Sequence, residues 1–287
     1  MIKGITNFGH AVKNIDQAAS VYTSLWGIPL AKKFSSTPEG VNNAVFPVPP
    51  NFAEMLEPAD SKGTLARFID RKGEGIYHLV FLTDSVEKEV RSLRQKGVVV
   101  NEAPALDSGL QKRAWVHPRS TMGVLFELIE VDPLKQWGLQ NTPKKGLVPK
   151  ISHIHHIVKD LDKAVALYER IWGLRPNQRH DYPAEGFSNA IIPIGSNYIG
   201  ILCPTNAKHP LWAFLEKNGE GLRSVCFLVE DIDKAVDNLR GKGVEPFVQQ
   251  PGLSTPFKAA WISPKYTHGL VVELFPVKEA SSYMAGK

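Results

Sequence analysis

The chain has 287 residues, 43% hydrophobic and 22% charged, with a net charge of +5. That is an ordinary globular composition with room for two domains of about 130–150 residues. The positive residues are scattered, the nearest cluster being KKGLVPK at 144–150, so nucleic-acid binding is not expected. No apolar run approaches the ~20 residues of a membrane span and no signal-peptide pattern opens the chain, so no membrane partner and a cytoplasmic location are expected.

Each half opens with a short apolar strand, ITNFGHAV (5–12) or ISHIHHIV (151–158). A turn follows in which Asn14 or Asp160 is placed to cap a helix. The helix gathers Ile15, Ala18, Val21, Tyr22 and Leu25 on one face, and Leu161, Ala164, Leu167, Tyr168 and Ile171 in its copy. Trp-Gly ends each, with glycine suited to the left-handed position past the last turn. Three strand-like segments come next. A second round then begins at IYHLVFLTD (76–84), passes through the helix VEKEVRSLRQKG and ends in AWVHP and GVLFELIE; LRSVCFLVED begins its copy. Strand-helix-strand-strand-strand thus occurs four times, near 1–60, 74–131, 150–205 and 220–277.

A constant offset of 146 positions relates the halves: Trp26 pairs with Trp172, Asn43 with Asn189, Trp115 with Trp261 and Glu127 with Glu273. GEGIYH at 73–78 becomes GEGLRS at 219–224, so His78 is replaced by Ser224. The chain is a tandem duplication whose copies differ at polar positions. The expected division is a domain at 1–131, a turn-rich linker at 132–149 and a second domain at 150–287. The two cysteines, Cys203 and Cys226, offer neither a disulfide framework nor a zinc spacing, and read as buried apolar residues.

Paired βαβββ units carrying AVKNID, EGVNNAVFPV, GEGIYHLVF and MGVLFELIE, with the copies VKDLDKA, EGFSNAIIPI and GLVVELF, resemble the vicinal oxygen chelate superfamily. Methylmalonyl-CoA epimerase and glyoxalase-like proteins are the nearest pattern within it. The resemblance implies an α+β fold of four βαβββ modules forming two cupped mixed sheets. It also implies one divalent metal ion (Fe, Mn, Co, Ni or Zn) on inward side chains, and a small-molecule substrate, which the charge balance allows to be anionic. A homodimer is possible.

Carried over by position, the ligand places fall on Asn7 and Glu54, on His78 and Glu127, on His153 and Gly200, and on Ser224 and Glu273. Pairing the modules in simple order gives two mixed sets. A crossed pairing of the second module with the third, as the resemblance allows, gathers His78, Glu127 and His153. That is the metal set expected here, because two imidazoles and a carboxylate suit a first-row ion with open positions.

His155 shares a strand face with His153 while His156 points the other way, so His155 is the candidate acid/base, with Glu127 as a second candidate. Epimerases of this pattern carry a glutamate base where Asn43 and Asn189 stand; an amide cannot abstract a proton but can orient a substrate oxygen, so Asn189 is assigned to substrate. The expected function is a metal-dependent isomerase, epimerase or lyase acting through an enolate on a substrate that chelates through adjacent oxygens. The alternatives are a non-haem Fe(II) dioxygenase of extradiol type and a binding protein without turnover.

Overall fold

The computed structural model describes residues 1–103, 112–142, 146–148 and 150–286. Of the expected linker, residues 143–145 and 149 lie outside the described residues. The first half contains β1 (Ile2–Ala11), α1 (Ile15–Ala18, continued by a π-turn at Val21–Leu25), β2 (Lys32–Ser36), β3 (Val41–Val48) and β4 (Asn51–Pro58). It continues with α2 (Thr64–Lys72), β5 (Gly75–Thr83), α3 (Val86–Gln95), β6 (Val100–Ala103), β7 (Arg113–Val116) and β8 (Leu125–Ile129). After α4 (Pro133–Gln136), the second half repeats it: β9 (Lys150–Ile157), α5 (Leu161–Trp172), β10 (Gln178–Tyr182), β11 (Phe187–Ile194) and β12 (Asn197–Pro204). Then come α6 (Pro210–Asn218), β13 (Gly221–Val229), α7 (Ile232–Gly241), β14 (Phe247–Gln249), β15 (Ala259–Ile262), β16 (Val271–Pro276) and α8 (Val277–Met284).

The strands form two eight-stranded mixed sheets, ordered β2-β3-β4-β1-β5-β8-β7-β6 and β10-β11-β12-β9-β13-β16-β15-β14. This is the duplicated vicinal oxygen chelate fold, two curled half-barrels of α+β class. Local chemistry sets the elements as expected. Asn14 accepts from the Gln17 amide and Asp160 from that of Lys163, and Gly27 and Gly173 follow the helices with φ of 71° and 70°.

The module pairing differs from expectation. The opening strands of modules one and two, β1 and β5, bond to each other antiparallel, with Gly9 opposite His78. Those of modules three and four, β9 and β13, do the same, with His155 opposite Ser224. These ladders close each sheet within its own half and exclude the crossed arrangement: strands already saturated by a neighbour in their own half have no free edge for a distant module.

What the halves share is their backs. Strand alternation turns Phe8, Leu79, Phe81 and Phe126 of the first sheet, and Ile154, Phe227, Val272 and Leu274 of the second, into one core. Wholly buried Trp26 packs edge-on against Phe227 of the other half, ring centroids 5.5 Å apart, while Trp172 meets Phe81 and Phe126 at 5.1 and 4.7 Å. Polar pairs repeat the symmetry. Asn51 and Asn197 exchange two amide hydrogen bonds of 3.0 Å. His10 Nε2 meets the His268 carbonyl, and His156 Nε2 that of Met122, both at 2.8 Å. With their backs joined, the two concave faces point away from each other. Among the described residues no helix is long and apolar enough to cross a membrane.

Candidate metal centre

The alternation that sends Phe8 and His10 to the back sends Asn7 and Gly9 into the first cup. His78 and Glu127 join them from β5 and β8, and Glu54 from β4. His78 is 2% exposed, and neither ring nitrogen has a hydrogen-bond partner. Its Nε2 lies 3.8 Å from Glu127 Oε2. Burial, helped by the Arg113 charge, pushes the imidazole down to about 3, so the ring is neutral.

Arg113 occupies the ground a cation would need. Its Nη1 donates to Glu127 Oε1 at 2.7 Å and to Glu39 Oε1 at 2.9 Å. Burial pushes Glu127 up to about 7 despite the guanidinium, and burial with the Glu127 and Glu39 charges pushes Glu54 up to about 8. Asn7 Nδ2 donates to Glu54 Oε2 at 3.0 Å. The first cup is a hydrogen-bonded network built around a buried arginine. Nothing in the sequence reading singled out Arg113; the signal available was its copy, Ala259, which leaves Glu273 without an arginine partner there.

In the second cup β9 contributes both His153 and His155, and β16 contributes Glu273. One ligand atom from each lies within 4.8 Å of the other two, the only such group among the described residues. His153 Nε2 is 3.2 Å from Glu273 Oε2 and its Nδ1 is 3.1 Å from Ser152 Oγ. His155 Nδ1 is 2.9 Å from Ser224 Oγ and 3.9 Å from the same Glu273 oxygen. Burial, the neighbouring His153 and Arg223 hold the His155 ring far below its usual range, and burial raises Glu273 against the pull of His153. Two imidazoles and a carboxylate converging in an enclosed place fit a divalent first-row ion.

His155 stands where the first cup has Gly9, and Ser224 where it has His78, so one imidazole has crossed to the opposite strand. Glycines make the room in both cups. A Cβ on Gly200 would sit 2.6 Å from His155 Cδ2, and one on Gly9 would sit 2.4 Å from His78 Cε1. The site residues expected from sequence are therefore divided. His78 and Glu127 are in the first cup, where among the described residues no second histidine converges on them, whereas His153 and His155 are in the second with Glu273. The expected His78/Glu127/His153 set is not assembled, because its members belong to different sheets. Asn189 lies in the second cup with a buried Oδ1 that has no hydrogen-bond partner.

The family model for the Glyoxalase/Bleomycin resistance protein/Dioxygenase superfamily matches residues 7–110 and again 152–256. The chain belongs to this superfamily. Among its relatives, the ethylmalonyl-CoA/methylmalonyl-CoA epimerase of Cereibacter sphaeroides is 30% identical over 135 residues, 45% of this chain and 98% of that one. Mitochondrial methylmalonyl-CoA epimerase of Homo sapiens is 28% identical over 127 residues, covering 44% of this chain and 72% of that protein. A variant of 4-hydroxymandelate synthase from Streptomyces coelicolor superposes with a TM-score of 0.75 at 16% identity, over 99% of this chain and 97% of that one. That likeness is one of fold. It extends over both repeats, whereas each epimerase match spans the length of one.

Proposed function

We propose that this superfamily member is a metal-dependent enzyme whose centre is His153, His155 and Glu273 in the second cup. Its substrate is a small molecule that chelates through two adjacent oxygens, and its reaction is an oxidation by dioxygen of the non-haem Fe(II) type. The carrying observation is the convergence of those three ligand atoms within 4.8 Å, in the cup where, among the described residues, no arginine hydrogen-bonds to the carboxylate and Arg223 acts on Glu273 through its charge alone. A bound Fe(II) ion supplies Lewis acidity toward the chelating oxygens and the means to activate dioxygen.

The chain's own residues do the rest. Ser224 fixes the His155 ring through Nδ1. Trp261, stacked on His155, and Phe275, edge-on to His153, wall the site against water. The unpartnered Asn189 oxygen accepts a hydrogen bond from a substrate hydroxyl.

Proton abstraction fits this cup less well. Of its two expected acid/base residues, Glu127 is bonded to Arg113 in the other cup, and His155 is one of the ligands. The nearby Cys226 thiol is pushed well above its usual range by burial and by Glu273. The epimerase or lyase reading rests on the sequence relatives, so both are tested together. Protein loaded anaerobically with Fe(II) is mixed with catechol- and hydroquinone-like compounds and oxygen uptake is followed. In parallel, candidate acyl thioesters are incubated in D2O with Co(II)- or Mn(II)-loaded protein. Oxygen consumption lost in His153→Ala and Glu273→Ala supports the oxidation. Solvent deuterium entering a thioester without oxygen uptake sinks it in favour of the epimerase.

A further inference from the structure

The metal ligands lie in the second cup, yet a cavity of about 810 Å³ opens in the first. Its walls are aromatic: Trp115 edge-on to His78 at 5.2 Å on one side, and Trp137 against Phe34 and Phe52, each at 5.8 Å, on the other. Buried His78 lines its floor with both ring nitrogens unpartnered. A polar group enclosed without a partner costs roughly 1–3 kcal/mol, and such a group beside a cavity of ligand size marks a place that a ligand completes.

The rim has a different character. Along α2, Arg67, Arg71 and Lys72 face the cavity mouth, and none has a carboxylate partner among the described residues. By contrast, the carboxylates that line the interior are already engaged, Glu39 and Glu127 by Arg113 and Glu54 by Asn7. Attraction for an anion is thus confined to the entrance, and the interior offers flat apolar contact.

We infer that the first cup is a second ligand site, independent of the metal centre, that takes a small organic anion: a flat aromatic body between Trp115 and Trp137, with its carboxylate, sulfonate or phosphate at Arg67, Arg71 and Lys72. Its recognition is by stacking and by charge at the mouth, and it needs no metal because Arg113 already engages the Glu127 carboxylate.

The test uses two fluorescent probes on the full chain, anilinonaphthalene sulfonate and its uncharged counterpart phenylnaphthylamine. Both are expected to bind saturably at one site per chain, the sulfonate about fivefold or more tightly at low salt. Arg67→Gln/Arg71→Gln/Lys72→Gln, on the surface helix, is expected to abolish that preference and leave the uncharged probe unaffected. Trp115→Ala should weaken both probes about fivefold or more, whereas its repeat counterpart Trp261→Ala and the metal-site variant His153→Ala should leave both as in the parent. Absence of saturable binding, a preference that survives the triple neutralisation, or equal sensitivity to Trp115→Ala and Trp261→Ala would overturn the assignment. His153→Ala separates this result from the metal-centre reading, since that variant removes the ion and spares the probe site.

Discussion

Arg113 and Ala259 stand at the same place in two copies of one strand, 146 positions apart. The guanidinium of the first binds Glu127, and the methyl group of the second leaves Glu273 to face two histidines. That difference, beside those at Gly9/His155 and Asn7/His153, separates a carboxylate held by a guanidinium from one that faces two imidazoles. The charge that stabilises the first cup is the charge that would expel an ion from it.

Removing that arginine should be costly. Arg113→Ala leaves Glu127 and Glu39 facing each other in a buried place, and a loss of about 3–5 kcal/mol is expected from urea unfolding at pH 7. Adding Glu127→Gln should return much of it. Equal stability of the single and double variants would show that the pair is not the source of the loss.

The imidazole that changed strands can be moved back. His155→Gly alone should lower affinity for Co(II) or Fe(II) by about 100-fold or more if the proposed centre holds the ion, since it removes one of its three ligands. His155→Gly/Ser224→His recreates the Gly9/His78 geometry on β9 and β13, and is expected to restore binding to within about tenfold of the parent. Isothermal titration of the ion alone reads both, and a double variant no better than the single one would remove His155 from the ligand set.

Two histidines on the shared backs make stability depend on pH. His10 and His156 are buried, each with Nδ1 meeting a tyrosine hydroxyl and Nε2 a carbonyl. Burial lowers both from 6.5 to about 4. The unfolded chain therefore binds more protons between those values. The contribution is complete above pH 6.5 and is lost as pH falls toward 4, by about 2 kcal/mol from each histidine at pH 5. Urea midpoints from pH 7 to pH 5 check this, and His10→Gln/His156→Gln should make the slope shallower, with buried His78 contributing part of what remains; an unchanged slope would place the acid sensitivity elsewhere.

The reciprocal amide pair gives a test of the joined backs. Asn51→Leu alone removes the amide partner of Asn197 Oδ1, leaves its Nδ2 only the Ile151 carbonyl, strips the Ile5 carbonyl of its side-chain amide donor, and should cost about 1–3 kcal/mol. Asn51→Leu/Asn197→Leu, which removes both partners, should cost less than the sum of the two singles in a thermal or urea double-mutant cycle. Strict additivity would mean that the two residues do not act as a pair.

The sequence by itself determined the duplication, the four modules and the caps that begin their helices, because these rest on local chemistry and on an offset visible in one dimension. It also determined that His153 and His155 share a strand face, since alternation along a strand is local. Which histidines meet was decided only by the tertiary structure. Both the simple and the crossed pairing satisfy the same hydrophobic pattern, and the choice lies in whether β1 bonds β5 or a strand of the other half. Arg113 escaped notice for a related reason: a cation beside a carboxylate on the last strand of its module is a contact between β7 and β8 that spacing along the chain does not announce. Likewise, the room for His155 is made by Gly200 on a neighbouring strand, and a missing side chain acquires meaning only from the atom that fills its place.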